Sequence, residues 1–309
     1  MRGYKLFSGT ANVEFSKKIS KYLSLPLSDA SVKRFSDGEI SVQIGESVRG
    51  KDVFVIQPTC APANVNLMEL LILTDALKRS SASSVTAIVP YFGYARQDRK
   101  AAPRVPITAK LVANMMQTAG IDRVVTIDLH AGQIQGFFDI PVDNLYGSLV
   151  FTDYIKNKNF KNPIIASPDV GGVARARSLA KKLNLDIVIV DKRREKANES
   201  EVMNVIGDVN GKDVILIDDM IDTAGTICKA ADVFKNRGAT SVMACCTHPV
   251  LSGIAYERIS NSALDELVVT DSIPLKEENE KIKILSVAPL FGEVIRRVYH
   301  NESVNNLFL

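Results

Sequence analysis

Residues 214–226 combine side chains that suit the binding of a sugar phosphate. Four β-favouring apolar residues, 214–217, run directly into two acids, Asp218 and Asp219. A third acid, Asp222, follows after two intervening residues. It is followed by a run of small residues and then by an apolar pattern typical of a helix. An all-apolar strand is typical of a parallel sheet buried on both faces, and open α/β folds bind ligands at the carboxyl end of such a sheet.

The small residues after Asp222 allow backbone N–H groups to approach a phosphate: they are Thr223, Ala224, Gly225 and Thr226. The positive end of the following helix and the threonine hydroxyls add to this attraction. Asp218 and Asp219 repel phosphate, but they can accept hydrogen bonds from sugar hydroxyls or ligate a metal ion. The stretch therefore predicts a ribose 5-phosphate site. The alternative is an ordinary strand-to-helix turn with acidic capping residues.

The composition describes a globular chain that carries little net charge. Its 309 residues suffice for two domains, with 46% hydrophobic residues, 24% charged residues and a net charge of +3. This charge does not indicate nucleic acid or a membrane surface as a partner, and we expect neither. No apolar run reaches the length of a bilayer span, the N-terminus lacks a signal-peptide core, and the four cysteines have no C-x-x-C spacing. We expect a cytoplasmic protein with reduced thiols.

Strand and helix patterns alternate along the whole chain, which predicts an α/β fold with mostly parallel sheets. Helices are predicted over 12–23, 66–78 and 107–119. A strand over 124–129 ends at His130, and alternation along that strand predicts that Asp128 and His130 face the same side.

An internal repeat predicts two similar domains. The segment Gly50-Lys51-Asp52-Val53 and the helix and strand after it are echoed by Gly211-Lys212-Asp213-Val214 and its successors. We predict an N-terminal domain over 1–144 and a C-terminal domain over 145–309. The first copy has Gln57 where the second has Asp218, so only the second is predicted to hold the sugar phosphate.

Several blocks, in the same order along essentially the whole chain, resemble the ribose-phosphate diphosphokinase family of the phosphate-dependent class. They are residues 34–39 (RFSDGE), 90–99 (PYFGYARQDR), 128–131 (DLHA), 167–169 (SPD) and 214–226 (VILIDDMIDTAGT). The resemblance implies two tandem phosphoribosyltransferase-like domains, each with a mostly parallel central sheet flanked by helices, and an active site between them. It also implies transfer of the diphosphoryl group of ATP to the 1-hydroxyl of ribose 5-phosphate, with release of AMP.

The resemblance assigns ATP contacts to the first domain. Phe35 would stack on adenine, and Asp37 and Glu39 would contact adenine and ribose. Arg96 and Gln97 would contact ATP, in a loop whose guanidiniums suit a polyphosphate. From the residues alone, a plain hairpin turn and a solvated charged loop remain alternatives.

The resemblance also implies Mg²⁺ as cofactor, with His130 and Asp169 as its ligands. Nitrogen suits this hard cation poorly, so we expect His130 to be an auxiliary ligand. The alternative for Asp169 is a cap on the helix that follows it.

Lys192 and Arg194 precede a charged segment of low apolar content, residues 195–201. By resemblance this is a catalytic loop, in which Lys192 and Arg194 close over the transferring group and Arg194 also contacts ribose 5-phosphate. An exposed charged linker is the alternative.

The resemblance further implies a homohexamer, with phosphate as activator and ADP as inhibitor. Their predicted site combines Ser47 and Arg49 with Ser303 and Phe308 of the C-terminal tail, although Asn305 stands where the family usually has serine. A frayed end is the alternative for the tail.

Two other function classes bind the same ligands. A salvage phosphoribosyltransferase would consume the diphosphate, but it would not need the second domain or the ATP residues. A non-catalytic regulator would be expected to lose Lys192 or Arg194, and both are present.

Overall fold

The structure is a computed structural model, and it describes residues 3–193 and 202–307. The chain divides into two compact units: one comprises Met1–Tyr146, Ser272–Pro274 and Ser286–Leu309, and the other Gly147–Asp271 and Leu275–Leu285. The predicted division at residues 144 and 145 stays a prediction about where the domains begin and end.

The first unit contains a five-stranded parallel sheet in the order β1-β4-β5-β6-β7, together with an antiparallel hairpin, β2-β3. Its elements are β1 (Lys5–Ser8), α1 (Val13–Leu23), β2 (Ala30–Arg34), β3 (Ile40–Ile44), β4 (Asp52–Ile56), α2 (Ala63–Arg79), β5 (Ser84–Val89), α3 (Thr108–Ala119), β6 (Arg123–Ile127), a 3₁₀ turn (Gly132–Phe137) and β7 (Val142–Leu145).

The second unit contains a seven-stranded sheet in the order β10-β9-β8-β11-β12-β13-β14, parallel except for the β9-β10 pair. Its elements are α4 (Ser148–Lys156), β8 (Pro163–Ser167), α5 (Val173–Leu183), β9 (Ile187–Arg193), β10 (Val202–Ile206), β11 (Asp213–Ile221), α6 (Gly225–Asn236), β12 (Ser241–Pro249), α7 (Ala255–Asn261), β13 (Glu266–Thr270) and β14 (Ile282–Leu285). The mixed α/β class with mostly parallel sheets is confirmed.

The repeat predicted from the sequence is present in the two sheets. Strands β8-β11-β12-β13-β14 repeat the order of β1-β4-β5-β6-β7. The strand pairs also share their register and a hydrogen bond: Ser84 Oγ donates to Asp52 at 2.6 Å, and Ser241 Oγ donates to Asp213 at 2.6 Å. The two halves therefore share one local design.

The apolar strand β11 is buried on both faces, as predicted. Val214 and Leu216 pack in one hydrophobic cluster of the second unit, and Ile215 and Ile217 pack in another. All four are at most 2% exposed. Because successive side chains of a strand point to opposite faces, each face of the sheet receives alternate residues of β11.

The predicted helices are confirmed, and α1 shows why its boundary is readable from sequence. Asn12 is the N-cap, and its side chain accepts a hydrogen bond from Phe15 N–H at 3.2 Å. Helix α2 covers the segment predicted over 66–78, and α3 begins at Thr108, one residue after the start predicted for 107–119.

The strand predicted over 124–129 is shorter in the structure. β6 ends at Ile127, and Asp128 has a left-handed backbone with φ of 42°. Strand alternation therefore does not extend to His130, so the shared side of Asp128 and His130 stays a prediction without that support.

The end of the chain groups with the first unit, whereas the sequence analysis places it in the second domain. Helix α8 (Ala288–His300) packs on α1, where the rings of Phe15 and Phe291 meet edge to face at 5.6 Å. A Cβ on Gly292 would lie 2.5 Å from the Tyr22 ring, so a larger residue there would displace that ring. A short 3₁₀ turn, Asn305–Leu307, follows α8.

Among residues 3–193 and 202–307, no helix combines the length and the apolar character that crossing a membrane requires.

Candidate active site

The loop between β11 and α6 is shorter than the sequence suggests. β11 continues through Asp218 and Asp219 as far as Ile221, and α6 begins at Gly225. Only residues 222–224 join them. Ala224, the helix N-cap, is 4% exposed and left-handed (φ 59°, ψ 1°), and its side chain caps no N–H group. The helix therefore begins at a tight turn without a side-chain cap from that position.

The two adjacent acids near the end of β11 share one cation from α5. Arg175 Nη1 lies 3.1 Å from Asp219 Oδ1 and 3.4 Å from Asp218 Oδ1. The backbone N–H of Asp219 also donates to Asp218 Oδ1 at 2.8 Å. Asp219 is 4% exposed, and the Asp218 side chain is 23% exposed. One guanidinium thus faces two poorly hydrated carboxyl groups.

This arrangement leaves a surplus of negative charge that changes the acidity of Asp218. Burial, and then the adjacent Asp219, raise the pKa of Asp218 to about 8, although Arg175 opposes the rise. A ligand that brings hydroxyl donors or a cation would favour the ionised form and lower this pKa. The pair is therefore suited to accept a polyhydroxyl or cationic ligand.

The entrance to the loop is tied to the segment that follows β12. Leu251 N–H donates to Ile221 O, and Ser252 N–H donates to Asp222 O, each at 3.0 Å. The hydroxyl of Ser252 also donates to the Asp222 carboxylate. These bonds fix the backbone and side chain of Asp222, the first residue of the loop.

Sequence reasoning missed Arg175 and Ser252 as parts of this site. Ser252 follows β12, the strand beside β11, so knowledge of the strand order would have pointed to it. Arg175 lies in the first turn of α5, at the carboxyl end of β8, the other neighbour of β11.

The corresponding strand end in the first unit is filled by its own side chains. Gln57 is fully buried, and its amide donates to Glu69 at 3.0 Å and accepts from Ala11 N–H at 3.1 Å. Glu69, 1% exposed, also accepts from Thr10 N–H at 2.6 Å. This network supports the expectation that only the second copy receives a sugar phosphate.

The predicted adenine residues lie on the turn of the β2-β3 hairpin. Phe35 is 59% exposed, and Asp37 and Glu39 are exposed beside it. Asp37 Oδ1 accepts from Glu39 N–H at 3.1 Å, and Gly38 has φ of 94°, which favours glycine. The turn thus presents an aromatic face and two carboxylates to solvent, but their contact with ATP stays a prediction.

The loop that carries Arg96 and Gln97 is fixed at both ends. Gln97 O accepts from Ala109 N–H at the start of α3 at 3.1 Å, and its side chain bonds the Thr108 hydroxyl. A Cβ on Gly93 would lie 2.4 Å from Thr59 O, so the loop can run close to Thr59 only with glycine there. Arg96 and Gln97 are both exposed.

The predicted metal ligands belong to different units. Asp169, after β8, accepts from Gly172 N–H at 2.9 Å through Oδ1, and His130, after β6, is exposed. Within the part of the chain that the structure describes, no group of three or more His, Cys, Asp or Glu side chains could hold a metal ion. Magnesium bound through substrate phosphates takes only one or two carboxylates, so Asp169 fits such a role.

Of the residues predicted for the catalytic loop and the regulatory site, the structure describes some and not others. The backbone of Lys192 lies in β9, whereas Arg194 and Phe308 lie outside the described residues. Ser47 and Arg49 are exposed between β3 and β4. Ser303 follows α8 and accepts a bond from Arg297 at 2.8 Å.

Comparison with known sequences identifies relatives over the full length. The profile of the N-terminal domain of ribose phosphate pyrophosphokinase matches residues 4–120, and that of the phosphoribosyl synthetase-associated domain matches residues 194–309. The chain is 80% identical to ribose-phosphate pyrophosphokinase of Campylobacter jejuni and 74% identical to that of Wolinella succinogenes, with 100% of each chain covered. It is 70% identical to that of Helicobacter pylori, over 100% of this chain and 97% of the relative.

A solved structure shows the same fold. The phosphoribosylpyrophosphate synthetase of Mycobacterium smegmatis superposes with a TM-score of 0.92 at 42% identity, over 97% of this chain and 99% of the other.

The raised pKa of Asp218 makes the stability of the ligand-free protein depend on pH. Below about pH 4, Asp218 is protonated in both folded and unfolded chains; from there to about pH 8 the unfolded chain ionises first, so the folded state loses stability. The asparagine of Asp218→Asn does not titrate, so the free energy of unfolding of this variant, relative to that of the parent, should increase across this pH range. We expect this difference in unfolding free energy to reach on the order of 1–3 kcal/mol. It is less than the full pKa shift of Asp218 implies, because the carboxyl group is partly exposed.

Urea denaturation from pH 4 to 9, at one protein concentration, measures this difference. A difference in unfolding free energy that stays constant across the range would contradict the raised pKa.

Proposed function

The chain belongs to the ribose-phosphate pyrophosphokinase family, and on that premise we propose which of its residues carry the reaction. The protein is an enzyme that transfers the diphosphoryl group of ATP to the 1-hydroxyl of ribose 5-phosphate. The products are 5-phosphoribosyl 1-diphosphate, a precursor for nucleotide biosynthesis, and AMP. The observation that carries this function is 70–80% identity, over the whole chain, to several proteins of that name.

The 5-phosphate binds at the loop of residues 222–226. The loop joins a buried strand to the N-terminus of a twelve-residue helix, where backbone N–H groups and the helix dipole attract an anion. The side chain of Ala224 caps no N–H group there, and Thr223 and Thr226 add hydroxyls. The assignment of the 5-phosphate to this loop is supported by the tight turn that leads directly into the N-terminus of α6.

The ribose ring lies toward the acidic pair. Ionised Asp218 and Asp219 can accept hydrogen bonds from the sugar hydroxyls, and Arg175 holds both carboxyl groups at the end of β11. The position of the acids, three to four residues before the turn, separates them along the chain from the phosphate that they would repel. The phosphate and the carboxylates of Asp218 and Asp219 are therefore assigned to two neighbouring stretches of backbone, which reduces the repulsion between them.

ATP is assigned to residues of the first unit. Phe35 offers an exposed aromatic face for adenine, and Asp37 and Glu39 offer acceptors for its amine and for the ribose. Arg96 supplies a guanidinium for phosphate oxygens, and Gln97 holds the Arg96 loop against α3.

The transfer step forms one bond and breaks another. The 1-hydroxyl oxygen of ribose 5-phosphate attacks the β-phosphorus of ATP, the bond from that phosphorus to the α,β-bridging oxygen breaks, and its electron pair leaves with AMP. The hydroxyl proton passes to solvent, since no residue is assigned as a dedicated base. Lys192 and Arg194 stabilise the charge on the transferring group.

Magnesium is the proposed cofactor, with Asp169 and His130 as its protein ligands. When bound, it neutralises charge on the phosphate oxygens and helps to align the diphosphoryl group. The carboxylate chemistry of Asp169 supports this assignment better than the imidazole of His130 does.

Three further features follow the family and are proposed for this chain. It assembles as a homohexamer. Phosphate activates and ADP inhibits it at a site that includes Ser47, Arg49, Ser303 and Phe308. It acts in the cytoplasm, where the four cysteines, which are buried and form no disulfide, remain reduced.

An assay of AMP release tests the function against its alternatives. AMP should form from ATP only when ribose 5-phosphate and Mg²⁺ are both present. A salvage phosphoribosyltransferase would form no AMP from these substrates, and a non-catalytic regulator would bind them without turnover. Absence of AMP formation with both present would contradict the proposal.

Lys192→Ala should lower kcat by about a hundredfold or more, because a cation placed on the transferring group contributes mainly to the transition state. The KM for ATP should change less than about twofold, since the binding of ATP in the ground state is little affected. Lys182→Ala, an exposed lysine of α5, is the matched control. A normal kcat for Lys192→Ala would refute its role.

Asp222→Ala should raise the KM for ribose 5-phosphate by about tenfold, because the carboxylate anchors the loop entrance through the Ser252 hydroxyl. The KM for ATP should stay nearly constant, which initial-rate kinetics with each substrate varied will show. Unchanged saturation by ribose 5-phosphate would place the sugar phosphate elsewhere.

A further inference from the structure

Arg258 of α7 contacts the backbone of the proposed phosphate loop. Its Nη1 donates to the carbonyl oxygen of Thr223 at 2.9 Å. The same atom lies 3.5 Å from the point where a Cβ on Gly225 would be. The guanidinium therefore packs against the loop at the turn into α6, although the residue itself is exposed.

We propose that Arg258 is a positioning residue, which turns the peptide between Thr223 and Ala224 so that its N–H group faces the 5-phosphate of ribose 5-phosphate. This inference rests on the proposed function, which places that phosphate at the loop.

The geometry of the peptide bond gives the mechanism. A trans peptide is planar, and its C=O and N–H groups point in opposite directions. Because Arg258 holds the Thr223 carbonyl on the α7 side, the N–H of Ala224 points to the other side. The bond from Arg258 thus aims a donor without contact between Arg258 and the substrate.

The conformation of Ala224 explains why such a bond is needed. Its φ of 59° is left-handed, and this region is unfavourable for a residue that has a Cβ. A backbone of this kind persists only where the surroundings hold it in place. Without the Arg258 bond, the peptide could rotate toward a more common conformation and turn its N–H away from the phosphate.

Arg258 completes a series of bonds along the loop. Three successive carbonyls, those of Ile221, Asp222 and Thr223, accept hydrogen bonds from one segment, residues 251–258. The first two bonds come from the backbone N–H groups of Leu251 and Ser252, whereas the third comes from a side chain. Of these three carbonyl bonds, only the Arg258 bond can be removed by substitution without a change to the main chain.

A charge effect is a competing explanation, because any cation near the loop would attract a phosphate. Lys229 of α6 provides the control. Arg258 and Lys229 line the same open cavity of about 530 Å³, and both are exposed. Removal of either charge changes the local field, and Arg258 also donates a hydrogen bond to the Thr223 carbonyl.

The test compares the steady-state kinetics of Arg258→Met, Arg258→Lys and Lys229→Met in the full-length enzyme. Arg258→Met should raise the KM for ribose 5-phosphate about tenfold, the loss expected for one charge-assisted hydrogen bond, and leave the KM for ATP within about twofold. Arg258→Lys should recover part of this loss, since an ammonium can donate one bond. Lys229→Met should change neither KM by more than about twofold. If Arg258→Met does not fold, Arg258→Lys alone decides, with a smaller rise in the same KM expected.

The other outcomes overturn the inference in distinguishable ways. If Asp222→Ala raises the KM for ribose 5-phosphate and neither Arg258 variant does, the loop binds the phosphate and Arg258 does not position it. If Lys229→Met raises that KM as much as Arg258→Met, the effect is one of charge. If neither the Asp222 nor the Arg258 variants change it, the proposed location of the sugar phosphate fails as well. An equal rise in the KM values for both substrates would indicate a general structural role.

Discussion

The pairing of β11 between β8 and β12 is the constraint on which the rest of the site depends. Both neighbours are parallel to β11, and its apolar side chains are buried on both faces. A strand held in this way has little freedom at its carboxyl end, so the acids and the turn that follow are placed by the sheet. The helix α6 then begins at the edge of the sheet where parallel α/β folds bind ligands.

The two halves of the chain show how one scaffold supports different strand ends. The order of five strands and the Asp–Ser bond between paired strands are the same in both units. At the end of β4, however, Gln57 and Glu69 satisfy each other in a buried network. At the end of β11, two carboxyl groups share one guanidinium, and their oxygens can accept hydrogen bonds from a ligand. The difference lies in a few polar residues, and the folds around them are alike.

The loop of residues 222–226 depends on contacts that lie outside it. Its left-handed Ala224 is unfavourable in isolation, but the segment after β12 binds three successive carbonyls of the turn. The N–H groups on the other side of those peptides are thereby directed away from this segment. Arg175 acts similarly on the acids, because it reduces the repulsion that two adjacent carboxyl groups would otherwise cause.

Local patterns were sufficient to predict the α/β class, the repeat, most helices and the loop of residues 222–226, since each depends on neighbours in sequence. The resemblance to a family then supplied roles for residues such as Phe35 and Lys192, which periodicity alone does not indicate. Only the tertiary structure showed Arg175, Ser252 and Arg258 at the site, because they act across 43, 30 and 35 residues of chain. The left-handed Asp128 and the packing of α8 on α1 were likewise decided by contacts between distant segments. The hydrophobic periodicity of a segment shows which face of a helix or strand is apolar. Which other element packs against that face depends on how the whole chain folds.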